Sequence, residues 1–402
     1  MSAAYARISR SRKPVDELRR MARTEVSKAR RSNQRIIWEM GHHSVAEHAV
    51  FNFDLIGVSR LAIEAVEQFR LCSFTEKSQR YITLDGDFVV PGEVKDAGLE
   101  APFVALVEAQ NELYRRINED LLERLVADHP EDADSKPGMR LLRGAAKEDA
   151  RYVTALATEG QLGMTVNARN LELMVRRFAA HPLQEVRELG RELYGQVEGV
   201  APSLVLFTDP CDRDRLSYGD LAQLSSPVAP AGDSPVPRAA DGRERECGRV
   251  RRVDVTPDAD LRLVAALLHT VSRSSYGEAY RQAEALDEAG RREVVTTSMR
   301  HMELYDTMLR EFEYVGCTFE FSLSAACFGQ LKRHRMMTLT AQPYDPALGL
   351  TIPPAVQAAG FTDEIRSLAS RAEALSRLIG EASAAAAPYA LLNAHRRRAL
   401  VS

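Results

Sequence analysis

No run of this 402-residue chain approaches the ~18–20 consecutive apolar residues that a membrane-spanning helix needs, so no bilayer segment is expected. No hydrophobic segment follows the arginine-bearing start MSAAYARISRSRKP, as a secretory leader would require. A basic excess is missing too: the formal net charge is -4, which argues against a general nucleic-acid binder and makes any phosphate recognition a local matter. The five cysteines (Cys72, Cys211, Cys247, Cys317, Cys327) are an odd, scattered set without CxxC spacing. They read as free thiols in a reducing cytoplasm rather than as a disulfide framework or a metal site. His42 and His48 have no third ligand at a recognisable spacing, so no metal is expected. Ser44 lies near both histidines, yet no nucleophile elbow surrounds it.

What is present is an ordinary globular composition, 45% hydrophobic and 27% charged, in a chain long enough for two domains. Its chemistry is concentrated in residues 41–81, which hold His42, Glu47, His48, Arg60, Arg70, Glu76 and Arg80. The cations of this stretch are mostly arginines, whose planar forks suit a phosphate or carboxylate.

Hydrophobic periodicity predicts a helix over 15–40, stopped by Gly41. A β-branched and aromatic strand is expected over Val50–Val58, followed by a helix from Arg60 to about Leu71 capped by Ser59. Ser73–Tyr81 reads as a loop, with a short strand near Phe88. Helices are expected over Ala101–Asp128, from Arg143 onward after the polar HPEDADSKPG, and twice between Val166 and Val197 with a break at His181-Pro182. Residues 208–257, rich in Pro, Gly, Ser and Asp, read as a linker between domains at 1–207 and 258–402.

The second domain reads as a copy of part of the first. EHAVFNF at 47–53 aligns without a gap with EYVGCTF at 313–319. Arg70 in QFR is followed by LCS, Arg335 in RHR by MMT, and the two segments end at Tyr81 and Tyr344. A duplication accounts for this order.

These residues resemble the flavin-dependent thymidylate synthase family. Its motif Gly-His-x-Ser-x-x-Glu-His is present as Gly41, His42, Ser44, Glu47 and His48. Of its signature Arg-His-Arg-x-x-Ser-x-Asn-Glu-x-Ser-x-Arg-Tyr, the chain keeps Arg70, Ser73, Glu76, Ser78, Arg80 and Tyr81, while Gln68-Phe69 replaces Arg-His and Thr75 replaces Asn. Glu148-Asp149-Ala150-Arg151 and Asn167-Ala168-Arg169 match two later segments, and Arg177, His181 and Glu185 match the Arg-x3-His-x3-Glu helix, one residue early. The second copy is complementary. It keeps Arg333-His334-Arg335 but has Ala341 and Pro343 in place of the acidic and serine positions, and it ends within the segment that resembles Asp-Ala-Arg-Tyr, so it reads as degenerate and truncated.

The resemblance implies an α+β fold of two tandem thymidylate synthase-like domains with mixed helices and antiparallel sheet. It implies conversion of dUMP to dTMP with FAD, NADPH and methylenetetrahydrofolate, at sites built between subunits of a tetramer. Two such chains would then form a homodimer of four domains. It further implies catalytic roles for His42, Arg177 and His334. Contacts to dUMP would come from Gln68, Arg70, Glu76, Ser78, Arg80, Arg151, Arg177 and Arg333, and contacts to cofactor from His42, Ser44, Asn167, Arg169, Arg333, His334 and Arg335. The alternatives are a diverged relative that binds flavin or nucleotide without synthase activity, and a scaffold that kept only the fold.

Overall fold

The computed structural model describes residues 2–8, 11–39, 42–80, 82, 84, 86–228 and 250–402. Gly41, Tyr81, Cys247 and residues 229–249 of the expected linker lie outside the described residues. No described helix is long and apolar enough to cross a membrane.

Contacts divide the chain into two units, one of Met1–Pro235, Ser324–His334 and Tyr344–Arg396, the other of Val236–Leu323, Arg335–Pro343 and Arg397–Ser402. The units are interleaved in sequence, whereas a single division at 208–257 is expected from the composition. In that interval Asp212–Val228 is helical and Val250–Val255 (β4) is a strand.

In the first unit β1 (Val50–Ser59), β2 (Cys72–Glu76) and β3 (Glu159–Asn167) form an antiparallel sheet in the order β1-β3-β2. Val50 lies opposite Asn167 and Leu55 opposite Leu162, and the register shifts between Ile56 and Val58. Gly57 makes that shift possible, since its φ of 72° is strained for any residue with a Cβ. The loop expected at Ser73–Tyr81 is thus corrected: its first part is β2, because Cys72 and Phe74 face inward while Ser73 and Thr75 face out.

Ser59 ends β1 and caps the helix Arg60–Val66, its hydroxyl accepting from Ala62 N–H at 3.0 Å. That helix stops short of the expected Leu71; Ala62, Ala65 and Val66 on it and Phe69 beyond it are buried, while Leu61 is half-buried. The helix expected over 15–40 is interrupted at Glu25, whose ψ of 57° is not helical. It becomes Val15–Thr24, Val26–Gln34 and a π-turn at Arg35–Glu39. Glu100–Asp128 is one long helix whose buried face includes Phe103, Leu106, Leu113 and Ile117. The next starts at Lys136 rather than Arg143, because Ser135 caps it and Pro137 is tolerated in a first turn. Val166 and Asn167 belong to β3, and the two helices after them are Ala168–Ala179 and Gln184–Glu198, separated at His181-Pro182. The strand expected near Phe88 is a single bridge to Thr158.

The core of this unit draws on both halves of the sequence, with Phe103, Ile117 and Met164 packed in one cluster with Val356, Ile365 and Tyr389. Backbone bonds recur in matched pairs. Arg60 N donates to Thr158 O, as Ala325 N donates to His395 O; Leu61 N donates to Leu156 O, as Ala326 N donates to Asn393 O. Ala155 bridges Leu392 antiparallel.

The second unit has its own sheet, ordered β4-β5-β7-β6, with β5 Cys317–Ser324, β6 Leu339–Ala341 and β7 Arg396–Val401. Helices Ala259–Val271, Tyr276–Ala285 and Glu288–Met299 enclose a small core of Val264, Ala265 and Ala283.

Candidate functional site

Two short helices with the same construction bring the main group together. Ser324 caps Ala325–Leu331 through Cys327 N–H at 3.2 Å, as Ser59 caps Arg60–Val66. The first helix leads through Glu67 and the turn Gln68–Leu71 into β2, which ends at Glu76. The second leads through Lys332 to Arg333. Arg333 Nη2 lies 2.8 Å from Glu76 Oε2 and its Nη1 3.0 Å from Glu67 Oε1. Lys332 Nζ is 2.9 Å from the other Glu67 oxygen, with both of those side chains at or below 5% exposure. Neither Glu67 oxygen is aligned for a hydrogen bond, so this pairing is electrostatic. Two residues expected at the site from distant parts of the sequence, Glu76 and Arg333, are thereby in contact. His334 is exposed beside them, and Arg335 falls in the other unit.

Three further arginines of the first unit interact. Arg80 approaches Glu148 at 3.7 Å, and its N–H donates to Ser78 Oγ at 3.3 Å. Arg151 is buried at 5% exposure and donates from Nε to Glu148 O at 3.3 Å. Burial, reinforced by the nearby Arg60 charge, pushes the Arg151 guanidinium below its ordinary value, while Glu148 pulls it the other way. Arg60, at 4% exposure, donates to Ala325 O at 2.5 Å and to Gln79 Oε1 at 3.5 Å. It lies so close to Gly329 that a Cβ there would be 2.2 Å from its Nη2. Glu67, Gln79 and Lys332 were not singled out in the sequence, and Arg60 was noted there only among the arginines of residues 41–81. Arg60 and Glu64 carried a signal, polar residues at i and i+4 in an otherwise apolar helix.

A second group gathers where β1 meets β3. His42 precedes the 3₁₀ helix His43–His48, on which Ser44 and Glu47 are exposed, and Ala168 N donates to Ala49 O at 2.9 Å. Asn167 caps the helix Ala168–Ala179, its Oδ1 accepting from Asn170 N at 2.9 Å. Arg169 pairs with Glu47. Next to Tyr5, at 4.4 Å between rings, His48 takes a packing position.

Phe69, standing where the signature has histidine, is a core residue. It packs edge-on against Phe178 at 5.7 Å, and the Arg177 guanidinium lies over its ring at 5.9 Å. Gln68 and Arg70 are exposed on either side of it. His181 accepts from Leu183 N at 3.2 Å through Nδ1, and burial with the Arg187 charge lowers its pKa from 6.5 to about 4.

A cleft of about 80 Å³ is lined by Arg60, Glu76, Gln79, Thr158 and Gln161. A larger hollow of about 590 Å³ lies along Lys136, Arg140, Arg143 and Lys147 and includes none of the expected site residues. We place the site by the convergence of charged groups rather than by volume. Arg80, Arg151 and the Ser78 hydroxyl can hold a dianion, while Arg333 neutralises Glu76 beside them. His42, Ser44, Arg169 and the Asn167 amide N–H groups form a donor set suited to a polyoxygenated anionic cofactor such as FAD.

Residues 1–203 match the family model described as Thymidylate synthase complementing protein. The flavin-dependent thymidylate synthase of Clostridium tetani is 30% identical over 200 residues, which cover 47% of this chain and 77% of that protein. That of Geobacter sulfurreducens is 31% identical over 199 residues, covering 47% of this chain and 76% of that protein. The UPF0159 protein Ta1429 of Thermoplasma acidophilum is 23% identical over 399 residues, covering 90% of this chain and 77% of that protein, so this likeness extends through both halves.

Proposed function

Since the chain belongs to the thymidylate synthase complementing protein family, we propose that it is an FAD-dependent thymidylate synthase built as a tandem pair of family domains. It converts dUMP to dTMP, taking the one-carbon unit from methylenetetrahydrofolate and reducing equivalents from NADPH. The observation that carries this reading is the 2.8 Å contact of Arg333 with Glu76. Each is the surviving half of a signature that neither repeat holds whole.

Arg80 and Arg151 hold the dUMP phosphate as paired cations, with the Ser78 hydroxyl as a further donor. Glu76, balanced by Arg333, accepts from the nucleoside without repelling the phosphate. Gln68, Arg70 and Arg177 contribute further polar contacts to the nucleotide. FAD, when bound, supplies the redox chemistry. His42, Ser44, Asn167 and Arg169 hold and orient it, with Arg333 and His334 contacting it from the second repeat. His334 takes the place that the buried Phe69 has vacated.

The matched serine caps, the matched backbone bonds and the sheet orders β1-β3-β2 and β5-β7-β6 support the duplication. Two chains would then give the four-domain assembly as a homodimer. A stable four-chain particle or a lone monomer at micromolar concentration in light scattering would contradict that assembly.

The purified protein should show a flavin absorption spectrum and release tritium from C5-labelled dUMP only when methylenetetrahydrofolate and NADPH are present. Flavin and dUMP binding without tritium release would favour the diverged, non-synthase reading, which the core position of Phe69 keeps in view.

A further inference from the structure

Glu67 and Lys332 occupy equivalent places in the two repeats. Each follows a seven-residue helix opened by a serine cap, and each closes it by donating its N–H to a carbonyl four residues back, Ile63 O or Phe328 O, at 3.0 Å. Equivalent positions on a two-fold axis carry the same residue in a symmetric dimer, so Glu would face Glu, or Lys face Lys, in a buried setting. Here the two copies carry opposite charges 2.9 Å apart. Arg60 likewise faces its own equivalent, Ala325, and Gly329 leaves room for its guanidinium. The pairing of unlike repeats therefore satisfies charges that like-with-like pairing would leave in repulsion.

The Glu67 carboxylate also reaches Arg333 Nη1 at 3.0 Å, while Arg333 Nη2 meets Glu76 at 2.8 Å. Lys332 offsets the cost of burying the carboxylate, and the carboxylate fixes one branch of the Arg333 fork so that the other points at Glu76. We propose that Glu67, neutralised by its symmetry counterpart Lys332, is the positioning residue of the composite site: it holds Arg333 in register for the nucleotide. Gln68 and Phe69 follow Glu67, and Arg333 and His334 follow Lys332. The divergence in charge thus accompanies the division of the signature between the copies. This inference rests on the reading of the cluster as the dUMP site.

The test uses full-length, FAD-loaded protein and calorimetric titration with dUMP. In Glu67→Gln/Lys332→Met both buried charges are removed together, which avoids stranding one of them. This variant should keep the wild-type circular dichroism and size but bind dUMP roughly tenfold or more weakly. Adding Arg333→Ala to it should cost little more, because Glu67 acts through Arg333; a purely structural role would make the two losses additive. Should the double variant not fold, the same comparison is made with Glu67→Gln alone. Wild-type dUMP affinity in either folded variant, or full additivity with Arg333→Ala, would overturn the inference while leaving the dUMP site standing. If Arg333→Ala by itself leaves dUMP affinity unchanged, the reading of the site fails and the inference fails with it.

Discussion

Acidification should weaken this fold through one histidine. His181 sits in the turn between the helices Ala168–Ala179 and Gln184–Glu198, where Nδ1 accepts from Leu183 N and the Arg187 guanidinium donates to His181 O at 2.8 Å. Burial disfavours the charged ring and the Arg187 charge repels it, so the folded protein favours the neutral form and the pKa falls to about 4. The unfolded chain binds this proton near 6.5. The stabilising contribution is therefore complete above 6.5, declines as pH falls, and is gone below about 4. Across that interval, at about 1.36 kcal/mol per pH unit, the loss is at most ~3 kcal/mol, and less because the ring is partly exposed to solvent. Urea unfolding of wild type and His181→Asn at pH 7.5 and pH 4.5 isolates it, since Asn keeps an acceptor and every carboxylate titrates in both proteins. The wild type should lose ~1–3 kcal/mol more than the variant between the two pH values. Identical losses would refute the assignment of a buried, neutral His181.

Other perturbations have direct outcomes. Tyr389→Phe removes the hydroxyl that donates to Glu185 at 2.5 Å, where Ser59 N and Oγ also donate; urea denaturation should show a loss of about 1.5–3 kcal/mol, and an unchanged midpoint would contradict that bond. Arg80→Ala should weaken dUMP binding about tenfold to a hundredfold and Arg80→Lys should recover only part, since an ammonium lacks the fork; equal affinities by calorimetry would end the phosphate role. Arg169→Ala leaves the Glu47 carboxylate without its partner at the donor set and should lower flavin retention on gel filtration, whereas full retention would remove Arg169 from the cofactor site. Gly329→Ala should displace Arg60 from Ala325 O and cost about 1 kcal/mol without unfolding, because only the end of a long side chain must move.

The sequence by itself determined the elements whose cause is local. Ser59 before a run of apolar residues was enough to place a cap and a helix, and the β-branched, aromatic VFNF was enough for β1. Pro182 marked the break after Phe178 for the same kind of reason. The family resemblance was also legible, because the order and spacing of its motifs are properties of the chain. Tertiary structure decided the rest. Cys72–Glu76 is too polar and short to declare itself a strand and becomes one only because β3 offers it a partner. Phe69 looked like a substitution within a motif, and only packing against Phe178 made it core. The meeting of Glu76 with Arg333, and of Glu67 with Lys332, joins residues more than 250 positions apart. No local propensity encodes such a contact; it exists because the serine-capped helices Arg60–Val66 and Ala325–Leu331 meet in the fold, Arg60 donating to Ala325 O and Glu67 lying against Lys332.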